Sequence, residues 1–173
     1  MLFRSAIGPG EVALNIGTSG ALRVFSSRPL VDTRERSFCY AMDASHFLVG
    51  GAVNNGGLVL RWLCDTFAPG RPQGEAVDLL MAQAASAPPG AGGLLFHPYL
   101  TGERSPLWNG DARASYLGLT LGHGQPHLVR AALEGVVLHL RSLLPVLEEL
   151  AGPPASIRAT GGFARAPLWC QMV

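Results

Sequence analysis

Three glycine-bearing segments hold the groups best suited to chemistry. The first is GTSG, Gly17 to Gly20, between the apolar stretches EVALNI (11–16) and ALRVFSS (21–27). Main-chain N–H groups in such a turn can converge on phosphate oxygens, and the hydroxyls of Thr18 and Ser19 add two donors. A tight hairpin also needs glycine for its backbone alone. The second is TGGFARAPLW (160–169), which reads as strand, glycine pair, helix. A glycine pair there lets a ligand approach the main chain at a helix start. A close strand–helix turn is the plainer reading. The third is NNGG (54–57), at the head of an apolar stretch with helical spacing. Glycines cost a helix roughly 1 kcal/mol each. Close packing or a ligand must therefore require Gly56 and Gly57.

Other candidates carry less. His123 and His127 are four apart, and Glu134 lies two turns beyond. If helical they would share a face, yet packing at a helix start explains them as well. His46, His97 and His139 are isolated. No GxSxG elbow supports a Ser/His/Asp triad. GPGEVA (8–13) fits a loose GxGxxA pattern but precedes a strand rather than following one, so it is rejected as a dinucleotide loop. Glu103 and Arg104 lie in YLTGERSPLW, where adjacent opposite charges read as solvated or as part of a loop facing a ligand or a partner domain.

All 13 basic residues are arginine, with no lysine in the chain. That excludes a P-loop lysine, the strand lysine of protein kinases and Schiff-base chemistry. Net charge is +1, which gives no footprint for nucleic acid. No apolar run reaches about 18 residues, so no membrane span is expected. Cys39, Cys64 and Cys170 form no CxxC pair and read as buried thiols of a cytoplasmic protein. Charged residues are only 14% and hydrophobic ones 48%, which rules out disorder. The 173 residues suit about one domain.

These groups must be held by definite elements. Strands are expected at 11–16, 21–27, 37–42 and 46–51, forming a four-stranded meander. Helices are expected from Val53 to Phe67, with Asn54 or Asn55 as N-cap, and from Glu75 to Ala87. LLFHPYL (94–100) leads into a long polar loop through residue 114. The strongest helical pattern runs from Gln125 to Leu150, with Pro145 a candidate kink. A strand at 156–160, the glycine pair and a helix from Arg165 follow. Strands, then helices, with a strand returning between helices, make an α/β layered domain.

Taken in order, GTSGALR, GGAVNNGGLVLRWL, LLFHPYLTGERSPLW, ARASYLGL, HLVRAALEG and ATGGFARAPLWCQM resemble the C-terminal domain of the FGGY carbohydrate kinases, the gluconate kinase branch first and xylulose kinases next. The resemblance covers residue 8 to the end. It implies an actin-like, ribonuclease-H-like α/β fold with a mixed sheet flanked by helices, and a nucleotide site for ATP or ADP with Mg²⁺ bound through the phosphates. Gly17, Thr18 and Ser19 match the phosphate-facing hairpin. Gly57 and Arg61 match helix positions lining the nucleotide, and Gly161, Gly162 and Ala166 match the adenosine motif. The family's general base is an aspartate upstream of GTSG, and the sugar is held largely by an N-terminal domain. Neither is expected in residues 1–173, which read as a C-terminal nucleotide-binding domain cut at both ends. Asp111 and Glu103 are set aside as bases. The resemblance thus implies transfer of the γ-phosphoryl group to a sugar hydroxyl only with an N-terminal half. A non-catalytic remnant or interaction module, with weak or no nucleotide binding and self-association through the exposed face, is the alternative.

Overall fold

The structure is a computed structural model that describes Gly8 and residues 10–173. Part of the GPGEVA segment (8–13) therefore lies outside the described residues. The chain runs β1 (Glu11–Ile16), β2 (Gly20–Ser26), β3 (Phe38–Ala41), β4 (Phe47–Val53), α1 (Gly57–Phe67), α2 (Gln73–Ser86), β5 (Leu95–His97), β6 (Ser115–Leu117), α3 (Gln125–Arg141), α4 (Leu144–Ala151), β7 (Ser156–Gly161) and α5 (Pro167–Met172).

Alternation in β1 buries Val12, Leu14 and Ile16 on one face of the sheet. The five-stranded sheet has the order β3-β4-β2-β1-β7. β1 pairs antiparallel with β2 and parallel with β7, so the sheet is mixed. The expected meander is corrected here. β4, not β3, lies beside β2, and β3 hangs on the outer edge of β4. The physical reason is burial: β4 is almost wholly buried and takes the interior place, while half of short β3 is exposed.

α3 and α4 pack on this sheet where it has no side chains. A Cβ on Gly20 would stand 3.0 Å from Leu140, and one on Gly51 would stand 2.8 Å from Leu143. The helix expected over 125–150 is broken at Ser142–Leu143, and Pro145 falls in the first turn of α4. Proline is tolerated there because that N–H has no intrahelical partner. A two-stranded sheet, β5 with β6, sits against α3. β6 lies just beyond the expected polar loop. Phe96 stacks on Trp62 at 5.9 Å and meets Tyr116 at 4.6 Å. The loop before β3 is tied to α4 by Arg36, which donates to Asp32 at 2.9 Å and to Glu149 at 2.6 Å.

Candidate functional site

β1 and β7 run parallel, and Ile16 is paired with Gly161. Their carboxyl ends therefore lie side by side. Gly20, the first residue of β2, is paired with Val53, the last of β4. All three glycine segments thus emerge at one edge of the sheet. In α/β sheets the crevice outside the carboxyl ends of parallel strands is where ligands bind.

The hairpin turn and α1 are locked together there. Within the turn the Gly17 N–H donates to the Ser19 carbonyl at 2.9 Å. The N–H groups of Gly56 and Leu58 donate to the Thr18 carbonyl at 3.1 and 3.0 Å, and that of Gly57 donates to the Gly17 carbonyl at 2.6 Å. Three of the four orphan donors of the helix start are thereby satisfied by main chain. A Cβ on Gly56 would stand 2.7 Å from the Ser19 carbonyl, and one on Gly57 2.8 Å from the Gly17 oxygen. Close packing accounts for both glycines. The N-cap is Gly56 rather than Asn54 or Asn55, and no side chain caps the helix. Thr18 and Ser19 remain exposed at the tip.

The second glycine pair divides its work. Gly161 has φ +126°, and a Cβ there would collide with the Ile16 carbonyl. At Gly162 a Cβ would meet nothing within 4 Å, and φ is not in the left-handed region. Gly162 opens a 3-10 turn that runs to Arg165, so the helix expected from Arg165 begins only at Pro167, whose ring suits a first turn. Ala166 is buried in the core between the two. Arg61 lies one turn beyond Gly57 and is exposed. It lines a depression of about 480 Å³ with Cys64, Asp65 and Gly70. The structure therefore gathers Gly17, Thr18, Ser19, Gly57, Gly161 and Gly162 at one edge. Arg61 stands further along α1, and Ala166 acts in packing.

Beside this edge lies a buried polar cluster that sequence reasoning missed. Glu103 is only 2% exposed, and Asn55 and Ser105 are fully buried. One Glu103 carboxylate oxygen accepts from the Asn54 N–H at 2.6 Å and the Arg104 N–H at 2.8 Å. The other accepts from the Asn55 amide at 3.1 Å and lies 3.3 Å from His139 Nε2. Burial pushes this carboxyl up. His139 and the three N–H donors pull harder, and the net position is below the ordinary value. Glu103 is thus neither solvated nor turned toward a ligand. Adjacency to Arg104 in the sequence hid its partners, which lie about 50 residues earlier and on α3.

The remaining candidates do not assemble. His123 and His127 meet edge to face at 5.4 Å, but Glu134 is paired with Arg130 at 2.7 Å. Among the described residues no group of three His, Cys, Asp or Glu could hold a metal. Asp43 and Ser45 both approach the same nitrogen of His46, Nδ1, so no relay through that ring is possible. Among the described residues no helix is long and apolar enough to cross a membrane.

Residues 12–173 match the FGGY family of carbohydrate kinases, C-terminal domain. The chain belongs to this family. The Bacillus subtilis gluconokinase is 48% identical over 176 aligned positions, covering 98% of the chain and 34% of that protein. The Bacillus subtilis xylulose kinase is 29% identical over 96% of the chain and 33% of its own length. Among solved structures, a gluconate kinase from Lactobacillus acidophilus superposes with a TM-score of 0.88 at 40% identity, over 96% of the chain and 33% of that molecule. This FGGY domain therefore has the actin-like fold of the sugar kinases, and it spans about a third of the length of the curated relatives it matches.

Proposed function

We propose that this FGGY domain is the nucleotide-binding part of an ATP-dependent carbohydrate kinase of the gluconate type. The observation that carries the reading is the convergence of GTSG and the Gly161–Gly162 pair at the carboxyl ends of two adjacent parallel strands. The β- and γ-phosphates lie against the exposed turn of Gly17, Thr18 and Ser19. The adenosine end passes over Gly162, where the space a side chain would take is open. Gly57 fixes the turn from below, and Ala166 fixes the 3-10 segment. Arg61 is placed to add positive charge along α1. Because the chain has no lysine, phosphate oxygens meet N–H groups, hydroxyls and arginine.

Mg²⁺ carried in with the nucleotide would offset the charge of its phosphates. No carboxylate cage for it is needed from these residues. The sugar and the base that takes its hydroxyl proton belong to another part of the kinase. Asp111 is 98% exposed in its side chain and Glu103 has both oxygens occupied, so neither serves.

A hybrid tests this reading. This chain replaces the matching third of the Bacillus subtilis gluconokinase, and ADP release is followed with gluconate, xylulose and glycerol. Turnover dependent on ATP and gluconate is expected. A folded hybrid that releases no ADP with any of the three contradicts it.

A further inference from the structure

The buried carboxylate of Glu103 takes no part in the chemistry just described, yet its contacts lead directly to the phosphate-facing turn. Its oxygens hold the Asn54 N–H and the Asn55 side chain. Arg104 grips the same segment, donating to the Asn54 side chain at 2.7 Å and to the Val53 carbonyl at 3.1 Å. Asn55 also donates to the Gly102 carbonyl at 2.8 Å and accepts from Thr101. The next three residues, Gly56, Gly57 and Leu58, are those whose N–H groups hold the Gly17 and Thr18 carbonyls. Two layers of hydrogen bonds therefore run from Glu103 through residues 54–58 to the turn.

We propose that Glu103 is a positioning residue that fixes the GTSG turn for phosphate binding, acting through Asn54 and Asn55. The inference rests on nucleotide binding at that turn. A carboxylate is the group this place requires. Its two oxygens accept from three N–H donors and lie beside His139, whereas glutamine would turn its own NH₂ toward donors. Removing the acceptor leaves buried donors unsatisfied, and residues 54–55 must shift or take in water to recover partners. The turn would then lose its fixed floor while the sheet beneath keeps its ladder.

The test is Glu103→Gln, read by amide hydrogen exchange and by calorimetry with ADP and with adenosine. Exchange at Gly56, Gly57 and Leu58 should rise about tenfold, with β1 and α3 amides unchanged. ADP should bind about tenfold more weakly while adenosine, held at Gly161 and Gly162, binds as before. Asn55→Ala should give the same pattern, and the double variant should add little to either single one. If Glu103→Gln fails to fold, Asn55→Ala carries both readouts. Unchanged exchange at residues 56–58 overturns the proposal. So does a general rise in exchange with ADP and adenosine weakened together. If the wild-type chain binds no ADP, the nucleotide reading fails, and exchange alone decides what Glu103 holds.

Discussion

At Gly161 a side chain would collide with the Ile16 carbonyl, while at Gly162 it would meet only open space. The two glycines therefore answer to different demands. Gly161 serves the pairing of β7 with β1. Gly162 carries no such packing demand, which fits the proposal that adenosine passes over it. Gly162→Val should leave the circular dichroism spectrum intact and abolish ADP binding by calorimetry, because a Cβ there meets no protein atom within 4 Å and the side chain enters the proposed ligand space. Thr18→Ala should also fold, and should weaken ADP about tenfold through one lost hydrogen bond to a charged phosphate. Equal ADP affinity in wild type and Gly162→Val would remove adenosine from this position.

Among the elements, the loop before β3 is secured to α4 by a charge network that shapes acid stability. Arg36 beside Asp32, with main-chain N–H groups from Arg36 and Arg34, holds the Asp32 carboxyl down to about 2. A carboxyl depressed in the folded state stabilises the fold above its unfolded value of about 4, and that contribution fades as pH falls from about 4 toward 2. Wild type should therefore melt higher than Asp32→Asn at pH 6, and the gap should close between pH 4 and 2. A gap that stays constant across this range would show that the pair does not act through charge. The sequence showed most elements because their periods are strong: β1 alternates, and α1 and α3 repeat at helical spacing. It did not show that β4 lies between β2 and β3, since strand order depends on which strand can be buried on both sides. Of the site, the glycine turns were visible because glycine marks places where main chain packs closely, as at Gly56 and Gly57, or takes a positive φ, as at Gly161. Glu103 was not, because its partners are distant in sequence and its burial is a property of the assembled loop.

At the scale of the whole fold, the chain spans about a third of the length of the kinases it matches. Among the described residues β7 pairs only with β1, and all six of its residues are exposed. Beside it lies an apolar groove of about 470 Å³ lined by Leu14, Leu138, Leu144, Ile157 and Met172. An open strand edge beside apolar surface favours pairing with a second copy of the chain. Light scattering should therefore show self-association that grows with concentration, and a stable monomer at high concentration would argue otherwise. Everything proposed for this domain depends on nucleotide binding at the glycine edge of its sheet. The most direct measurement is titration of the isotopically labelled chain with Mg²⁺ and ADP, followed by amide chemical shifts. Saturable shifts gathered at Gly17, Thr18, Ser19, Gly161 and Gly162 are expected. No shifts at millimolar ADP, or shifts confined to the groove between α3 and β7, would contradict that binding.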